Sequence, residues 1–396
     1  MIHSFKTKGC NIGFDFDISL KPDKKLYCFI GKNGIGKTQL LENMAKSLIF
    51  SHTLFKNSDS NLPYSNLFTK NGVYSRLKDY QLQLPIDDIN INDVNIKNKN
   101  AHKWGITTFE KISELQSQAF VCNKPVVFVG AKNRGFTKNI DTDSIKILPD
   151  AVSRFVESFE RTLKYINSEG LEQEEIANWF TARLIVNPAF VQKGQNRSNE
   201  VVTVLRLIEK LEPTQKLVTV REDGGYSLSI LFHEGRLYIN NVPLDKLSTG
   251  FVSIIKIFQE IVAGYSGWTN ADDLSTVDGI VFIDEMEPHL HISWQTKIIQ
   301  ILKEFFPNTT FYISTHSPLV LSGLKDGEAY ELDRDEKFVK AKEILNIEIY
   351  FLNDIVKEFF GVDLNLEKIK NPNKERQKKA KTMLLNLAKT LEEQEL

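Results

Sequence analysis

Cysteine is scarce: the 396 residues include three, Cys10, Cys28 and Cys122. They are far apart and form no C-x-x-C pair, and two of them sit in apolar strand-like runs. A disulfide scaffold is therefore excluded and packed thiols are expected. No stretch of 18 apolar residues occurs; the greasiest segment, Phe251 to Tyr265, is broken by Lys256, Gln259 and Glu260. No membrane span is expected. The N-terminus, Met-Ile-His-Ser-Phe-Lys-Thr-Lys, has no apolar segment behind its first charges, so a secretory signal is not expected and a cytoplasmic location is. Neither sign of charge dominates. Fifty Lys plus Arg against 51 Asp plus Glu lack the basic balance of a dedicated nucleic-acid binder, although local basic patches remain open. What is present is average, with 41 % apolar and 26 % charged residues, so the chain is expected to fold as two domains or as one large domain with insertions.

Leu26-Tyr-Cys-Phe-Ile30 reads as a buried strand. The glycine-rich stretch Gly31 to Thr38 follows, and then a helix in which Leu40, Leu41, Met44, Ala45 and Leu48 recur at helical spacing. From about 51 to 118 the chain is rich in Asn, with five between Asn90 and Asn100, and reads as an irregular surface insertion. Pro125 to Val129 reads as a second buried strand. The segments Val152 to Ile166, Gln173 to Ile185 and Val201 to Leu211 form a helical lobe within about 141–216. Tyr226 to Ile239, around His233-Glu-Gly-Arg, has a hairpin pattern. Glu328 to Ala341 is strand-like, while Asn346 to Phe360 and Glu375 to Glu395 are helix-like. In the last of these, Ala380, Met383, Leu384, Leu387 and Leu391 form one apolar stripe that has to be covered.

Four stretches carry chemistry. Gly31-x-x-x-x-Gly36-Lys37-Thr38 is the phosphate-loop pattern: glycines let backbone N–H groups face a polyphosphate, Lys37 reaches the outer phosphates, and the Thr38 hydroxyl suits magnesium. Gly279 to Glu285 is an apolar run closed by two acids, as expected of a central parallel strand that delivers carboxylates at its C-terminal end. There Asp284 would hold magnesium and Glu285 would polarise the attacking water. Phe311 to Pro318 is a third strand end, where His316 could donate to a γ-phosphate and Pro318 suits a first helical position. Leu247-Ser-Thr-Gly250 precedes a helical stripe, which puts Ser248 near a helix N-terminus, either as a simple cap or as part of an anion site.

In this order, the four stretches resemble the Walker A, signature, Walker B and switch-histidine series of ABC-type ATPases. Asp284-Glu-Met-Glu-Pro-His-Leu-His291 with Ser314-Thr-His-Ser-Pro318 is further similar to the stand-alone SMC/RecF-like AAA family ATPases of bacterial anti-phage systems. The resemblance covers the chain to about residue 330, and between Gln39 and Leu244 it rests on order alone. It implies an α/β P-loop NTPase fold of the ABC type, with a mixed sheet, a helical insertion and a C-terminal helical segment; apart from the resemblance, the apolar stripe puts the strand and helices of 331–396 against either the chain's own core or a partner. The resemblance further implies ATP and Mg2+ as cofactors. Gly31, Asn33, Gly34, Gly36, Lys37 and Thr38 would bind nucleotide, Thr38 and Asp284 the metal. Glu285 would be the base and His316 the γ-phosphate sensor. Ser248 and Gly250 would act on a nucleotide held by a second copy, in a homodimer or higher oligomer. Phe251 stands where the family usually has a polar residue, and no Q-loop glutamine stands out.

Three functions follow from the resemblance. The leading one is an ATPase that serves as sensor or regulatory subunit of a defence complex, with a separate nuclease or toxin as effector. The alternative is a DNA-repair ATPase of the SMC kind, although no sustained heptad run lies between Gly31 and Ser248. A transporter subunit is disfavoured because Lys37 and Ser248 are 211 residues apart. His289 and His291 offer too few ligands for zinc. The basic cluster from Lys368 to Lys381 reads as a solvated helix face, with contact to DNA or RNA phosphates as the alternative. Asp333-Arg-Asp335 has no domain-sized frame around it, so no intrinsic nuclease is expected.

Overall fold

The computed structural model describes residues 1–9, 13–52, 81–83, 88–97, 106–108, 122–132, 134–135, 148–166, 176–185, 197–234, 236–335 and 338–363. Cys10, the segment 375–395 and the basic cluster lie outside them. The strands are β1 (Ser4–Lys8), β2 (Asp15–Ser19), β3 (Leu26–Ile30), β4 (Gln81–Gln83), β5 (Asp88–Ile91), β6 (Val94–Lys97), β7 (Ile106–Thr108), β8 (Val126–Val129), β9 (Val218–Val220), β10 (Tyr226–Leu228), β11 (Ile230–His233), β12 (Arg236–Ile239), β13 (Val242–Pro243), β14 (Ile280–Ile283), β15 (Thr310–Ser314), β16 (Ala329–Asp335) and β17 (Phe338–Glu343). The helices are α1 (Lys37–Phe50), α2 (Ala151–Ile166), α3 (Ile176–Leu184), α4 (Ser198–Leu211), α5 (Thr249–Thr269), α6 (Ile292–Gln295), α7 (Ile298–Phe305), α8 (Pro318–Leu321) and α9 (Leu352–Phe360).

Ten strands form one mixed sheet in the order β6-β5-β1-β2-β17-β16-β3-β15-β14-β8. The last four are mutually parallel and buried along their length; β3, β8 and β14 are continuous apolar runs, and β15 is apolar between Thr310 and Ser314, as strands covered on both faces must be. Their register is level: Tyr27 lies opposite Tyr312, Tyr312 opposite Phe282, and Phe282 opposite Phe128. Those four rings stack across the four strands, with centroids 5.1, 5.1 and 6.0 Å apart and planes within 20°. Aromatic pairs of this kind stabilise by about 0.5–1.5 kcal/mol beyond their burial. The row fixes the register, and the register makes the strands end together.

Helix α5 is apolar nearly all round and correspondingly buried, between the sheet and the lobe formed by α2, α3 and α4. A buried ionic cluster ties that lobe to α5: the Glu200 carboxylate accepts from Arg183 Nε at 2.6 Å, from Arg197 Nε at 2.5 Å and from Ser266 Oγ. The free thiols of Cys28 and Cys122 are buried, and burial pushes both pKa values up.

Several expectations change. Residues 88–97, read as irregular, form the β5–β6 hairpin, which extends the main sheet beyond β1. The stretch 328–341 is a hairpin of two sheet strands, β16 and β17, and the first compact unit runs to Ile349. The expected hairpin around His233 is present as β11–β12, whereas Tyr226–Leu228 pairs back to β9. Residues 346–360 are a single 3₁₀ turn, Ile347–Ile349, followed by α9, not one helix. In the second unit, Tyr350–Leu396, the Tyr350 ring lies against Phe359, and Gly361 ends α9 in the left-handed conformation.

Candidate functional site: a phosphate loop joined to an acidic strand end

The loop between β3 and α1 turns on glycines that all have positive φ, 147° at Gly31, 76° at Gly34 and 103° at Gly36. A Cβ on Gly36 would also sit 2.8 Å from the Phe14 ring, so the position excludes side chains twice over. Helix α1 starts at Gly36 without a side-chain cap, which leaves its first-turn N–H groups for a ligand. Asn33 and Gly34 are exposed on this loop. Lys37 is buried, and its ammonium donates to the carbonyls of Gly31 at 2.8 Å and Lys32 at 3.1 Å. Burial lowers its pKa, while the carboxylates of Glu285, Asp284 and Glu287 act the other way. This cation is therefore held across the loop with its charge only partly compensated, as suits a group that meets phosphate oxygens.

The loop is joined to the next two strand ends through side chains. Thr38 Oγ1 lies 3.0 Å from both carboxylate oxygens of Asp284. Ser314 Oγ donates to Asp284 Oδ1 at 2.6 Å and accepts from the Glu285 N–H at 2.8 Å. A hydroxyl beside a buried carboxylate is an all-oxygen donor set of the kind magnesium prefers, so these residues fit that ion. Glu285 follows with φ of 47°, left-handed backbone that costs a non-glycine residue roughly 1–2 kcal/mol. This bend turns the chain out of the strand at the candidate base.

His316 sits at the end of β15, half-buried, with its N–H donated to Glu287 Oε1 at 2.7 Å. Glu287 Oε2 accepts from Thr315 Oγ1 at 2.6 Å. Pro318 occupies the first turn of α8 behind the Ser317 cap, as its sequence position predicts. The structure thus brings Lys37, Thr38, Asp284, Glu285 and His316 to one edge of the sheet.

Ser248 and Gly250 make no hydrogen bond to these groups among the described residues. Ser248 is exposed and caps α5, accepting from the Phe251 N–H at 3.2 Å. Gly250 is buried against the turn after the acids, where a Cβ would lie 2.4 Å from the His289 carbonyl oxygen. His291 caps α6 by accepting from the Ser293 N–H, and the His289 ring lies over Gly135. Asp335 pairs with Lys340 at 2.9 Å on the exposed surface of the sheet.

Sequence reasoning missed Ser314, Glu287 and Arg134. Ser314 and Glu287 lie inside the quoted motifs, Ser314 as the last residue of β15 and Glu287 in the turn after β14, but the sequence alone does not tie either to the acids or to His316. Arg134 follows β8, and its guanidinium reaches the main chain of Asp284 and Glu285, 150 residues away; no local signal announces it.

Residues 26–322, three quarters of the chain, match the family described as "AAA domain, putative AbiEii toxin, Type IV TA system". The chain belongs to this family. Similar curated proteins include the Septu protein PtuA of Bacillus mycoides, 28 % identical over 56 % of this chain and 33 % of that protein. Its counterpart in Bacillus thuringiensis is 21 % identical over 91 % and 84 %. A "Retron Ec83 probable ATPase" of Escherichia coli is 35 % identical over 26 % of the chain and 20 % of that protein. The chain thus spans a third or less of two of these relatives. They bear out the resemblance to ATPases of anti-phage systems. An SMC head bound to a winged-helix domain of ScpA is among the similar solved structures, with 11 % identity over 87 % of this chain and 98 % of that one and a TM-score of 0.44. Among the described residues, no helix is long and apolar enough to cross a membrane.

Proposed function

We propose that this chain is a nucleotide-driven ATPase that pairs with a second copy around ATP and regulates a separate effector protein in anti-phage defence. The observation that carries the reading is the hydrogen-bonded path from the phosphate loop through Thr38, Asp284 and Ser314 to the Glu285 main chain. It links the Thr38 hydroxyl, the Asp284 carboxylate and the main-chain N–H of Glu285 in one network, which supports the reading.

In this reading Lys37 exchanges the Gly31 and Lys32 carbonyls for β- and γ-phosphate oxygens, while the N–H groups from Gly34 to Thr38 cradle the same phosphates. Thr38 and Asp284 would hold Mg2+, which neutralises phosphate charge when bound. Glu285 takes a proton from the attacking water, and His316 donates to the terminal phosphate. Ser248 and Gly250, at the N-terminus of the 21-residue α5, offer a hydroxyl and free N–H groups to the nucleotide of the second copy. The exposure of Ser248 and Thr249 supports that role.

The test pairs Lys37→Ala with Glu285→Gln in the full chain. Removing the lysine deletes charged hydrogen bonds of about 1.5–3 kcal/mol each, so ATP binding should weaken at least about tenfold. Replacing the base should leave ATP affinity within about twofold and lower turnover by roughly 10²–10⁴. Wild-type ATP affinity in Lys37→Ala, or wild-type turnover in Glu285→Gln, refutes the assignment.

A further inference from the structure

Arg134 has no part in the phosphate chemistry above, yet its placement is specific. The side chain is 2 % exposed. Its Nη2 donates to the main-chain oxygens of both Asp284 and Glu285, and its Nε reaches the Ala131 carbonyl at 3.4 Å, closing its own loop after β8. Nη1 is buried and has no hydrogen-bond partner among the described residues. The nearby carboxylates of Asp284, Glu287 and Glu285 compensate a cation whose pKa burial nevertheless pushes down to about 10. Burying a guanidinium this way is costly, and it sits behind the acidic strand end, where its hydrogen bonds go to main chain.

What it grips explains the placement. Successive carbonyls of an extended strand point in opposite directions, so one nitrogen can reach two consecutive oxygens only where the residue between them has left the strand. That residue is Glu285, with φ of 47°. The carbonyls held by Arg134 flank the two soft dihedrals of Glu285. Holding both therefore holds the bend. The approach is set by the sheet, because Ile283 is in register with Val129 and the Asp284 N–H donates to the Val129 carbonyl at 3.0 Å.

We infer that Arg134 is a positioning residue that locks the left-handed turn at Glu285 and so aims the candidate base from behind. This rests on the ATPase reading, and the experiment separates the two. In the full chain, R134M keeps the stem and removes every donor. Affinity for a non-hydrolysable ATP analogue should stay within about twofold of wild type while kcat falls at least tenfold, and R134K should regain part of the loss. Wild-type kcat in folded R134M overturns the inference. So does a parallel loss of affinity and kcat, which would make Arg134 a support of the phosphate loop. Should R134M fail to fold, R134K decides: a drop of at least threefold in kcat at unchanged KM is expected, because an ammonium on a shorter stem cannot hold both oxygens, and wild-type kcat there overturns it. Absence of analogue binding in the wild-type chain would instead refute the ATPase reading itself.

Discussion

Glu287 offers the sharpest test of how the site is held together, because its carboxylate serves two donors from one neighbouring segment. Oε1 accepts from the His316 N–H at 2.7 Å and Oε2 from Thr315 Oγ1 at 2.6 Å, and Thr315 is fully buried. Glu287→Ala leaves both donors without this acceptor. A buried donor stripped of its partner costs about 1–3 kcal/mol. Glu287 itself is only half-buried, so water can enter the vacated space, and the expected total is about 2–4 kcal/mol. Glu287→Gln keeps an oxygen for the His316 N–H, while its amide can only donate to the Thr315 hydroxyl, whose own proton must turn to another acceptor, so charge assistance and that one acceptor are lost, about 1–2 kcal/mol. Denaturant unfolding should rank the chains wild type, Gln, Ala. Turnover at saturating ATP should fall at least tenfold in Glu287→Ala and stay within threefold of wild type in Glu287→Gln, with ATP affinity little changed in both. Equal effects of the two substitutions would refute the reasoning, since they share the loss of charge and differ in the hydrogen bonds.

Gly250→Ala places a Cβ 2.4 Å from the His289 carbonyl, so the turn must retreat by about 1 Å at an overpacking cost of roughly 1–3 kcal/mol; a wild-type thermal midpoint would contradict it. Ser248→Arg should leave ATP binding by the single chain intact and block ATP-dependent pairing, read by sedimentation in a Glu285→Gln background; normal pairing would remove Ser248 from the interface. His52, buried against Trp268 with its Nε2–H donating to the Lys124 carbonyl at 3.2 Å, has its pKa pushed down to about 4 by burial. The folded state thus resists a proton that the unfolded chain takes up below about 6.5, so stability present at neutral pH is lost as pH falls from 6.5 to 4, by about 3 kcal/mol in all. His52→Leu should flatten that part of the pH profile of unfolding, and an unchanged profile would refute it.

The parallel centre was legible because its strands are apolar runs with their chemistry at one end, and because the phosphate loop needs residue types that few other structures need in that order. The β5–β6 hairpin was hidden by its polarity. Only Ile89 and Ile91 mark the inward face of β5, and the turn is Asn92-Asp93, at φ of 51° and 65°, in place of the commoner Asn-Gly. The Asn92 side chain accepts from the N–H groups of His3 and Ser4 and donates to the Met1 carbonyl. An asparagine that clamps the N-terminus reads in sequence like any other in an Asn-rich stretch. The break at Tyr350 and Phe351 was hidden because the apolar spacing runs through it.

Arg134, Glu287 and Ser314 were hidden for a shared reason: their roles arise between strand ends that meet only in the folded sheet. Each bonds across a strand boundary, Arg134 from β8 to the end of β14, Ser314 from β15 to the same acids, and Glu287 from the turn after β14 back to the end of β15. All three act on main chain alone or in part, so what they position is backbone, and the side chains of Glu285 and His316 follow it. The same turn carries the His289 carbonyl against Gly250, one residue from the exposed Thr249 and two from Ser248. Ser253 Oγ of α5 also donates to the Pro288 carbonyl of that turn at 3.1 Å, so the start of α5 and the turn that carries Glu287 are packed together at two points. In the proposed pairing, a second chain that meets Ser248 would lie beside the turn that follows the candidate base, across a position where a side chain has no room.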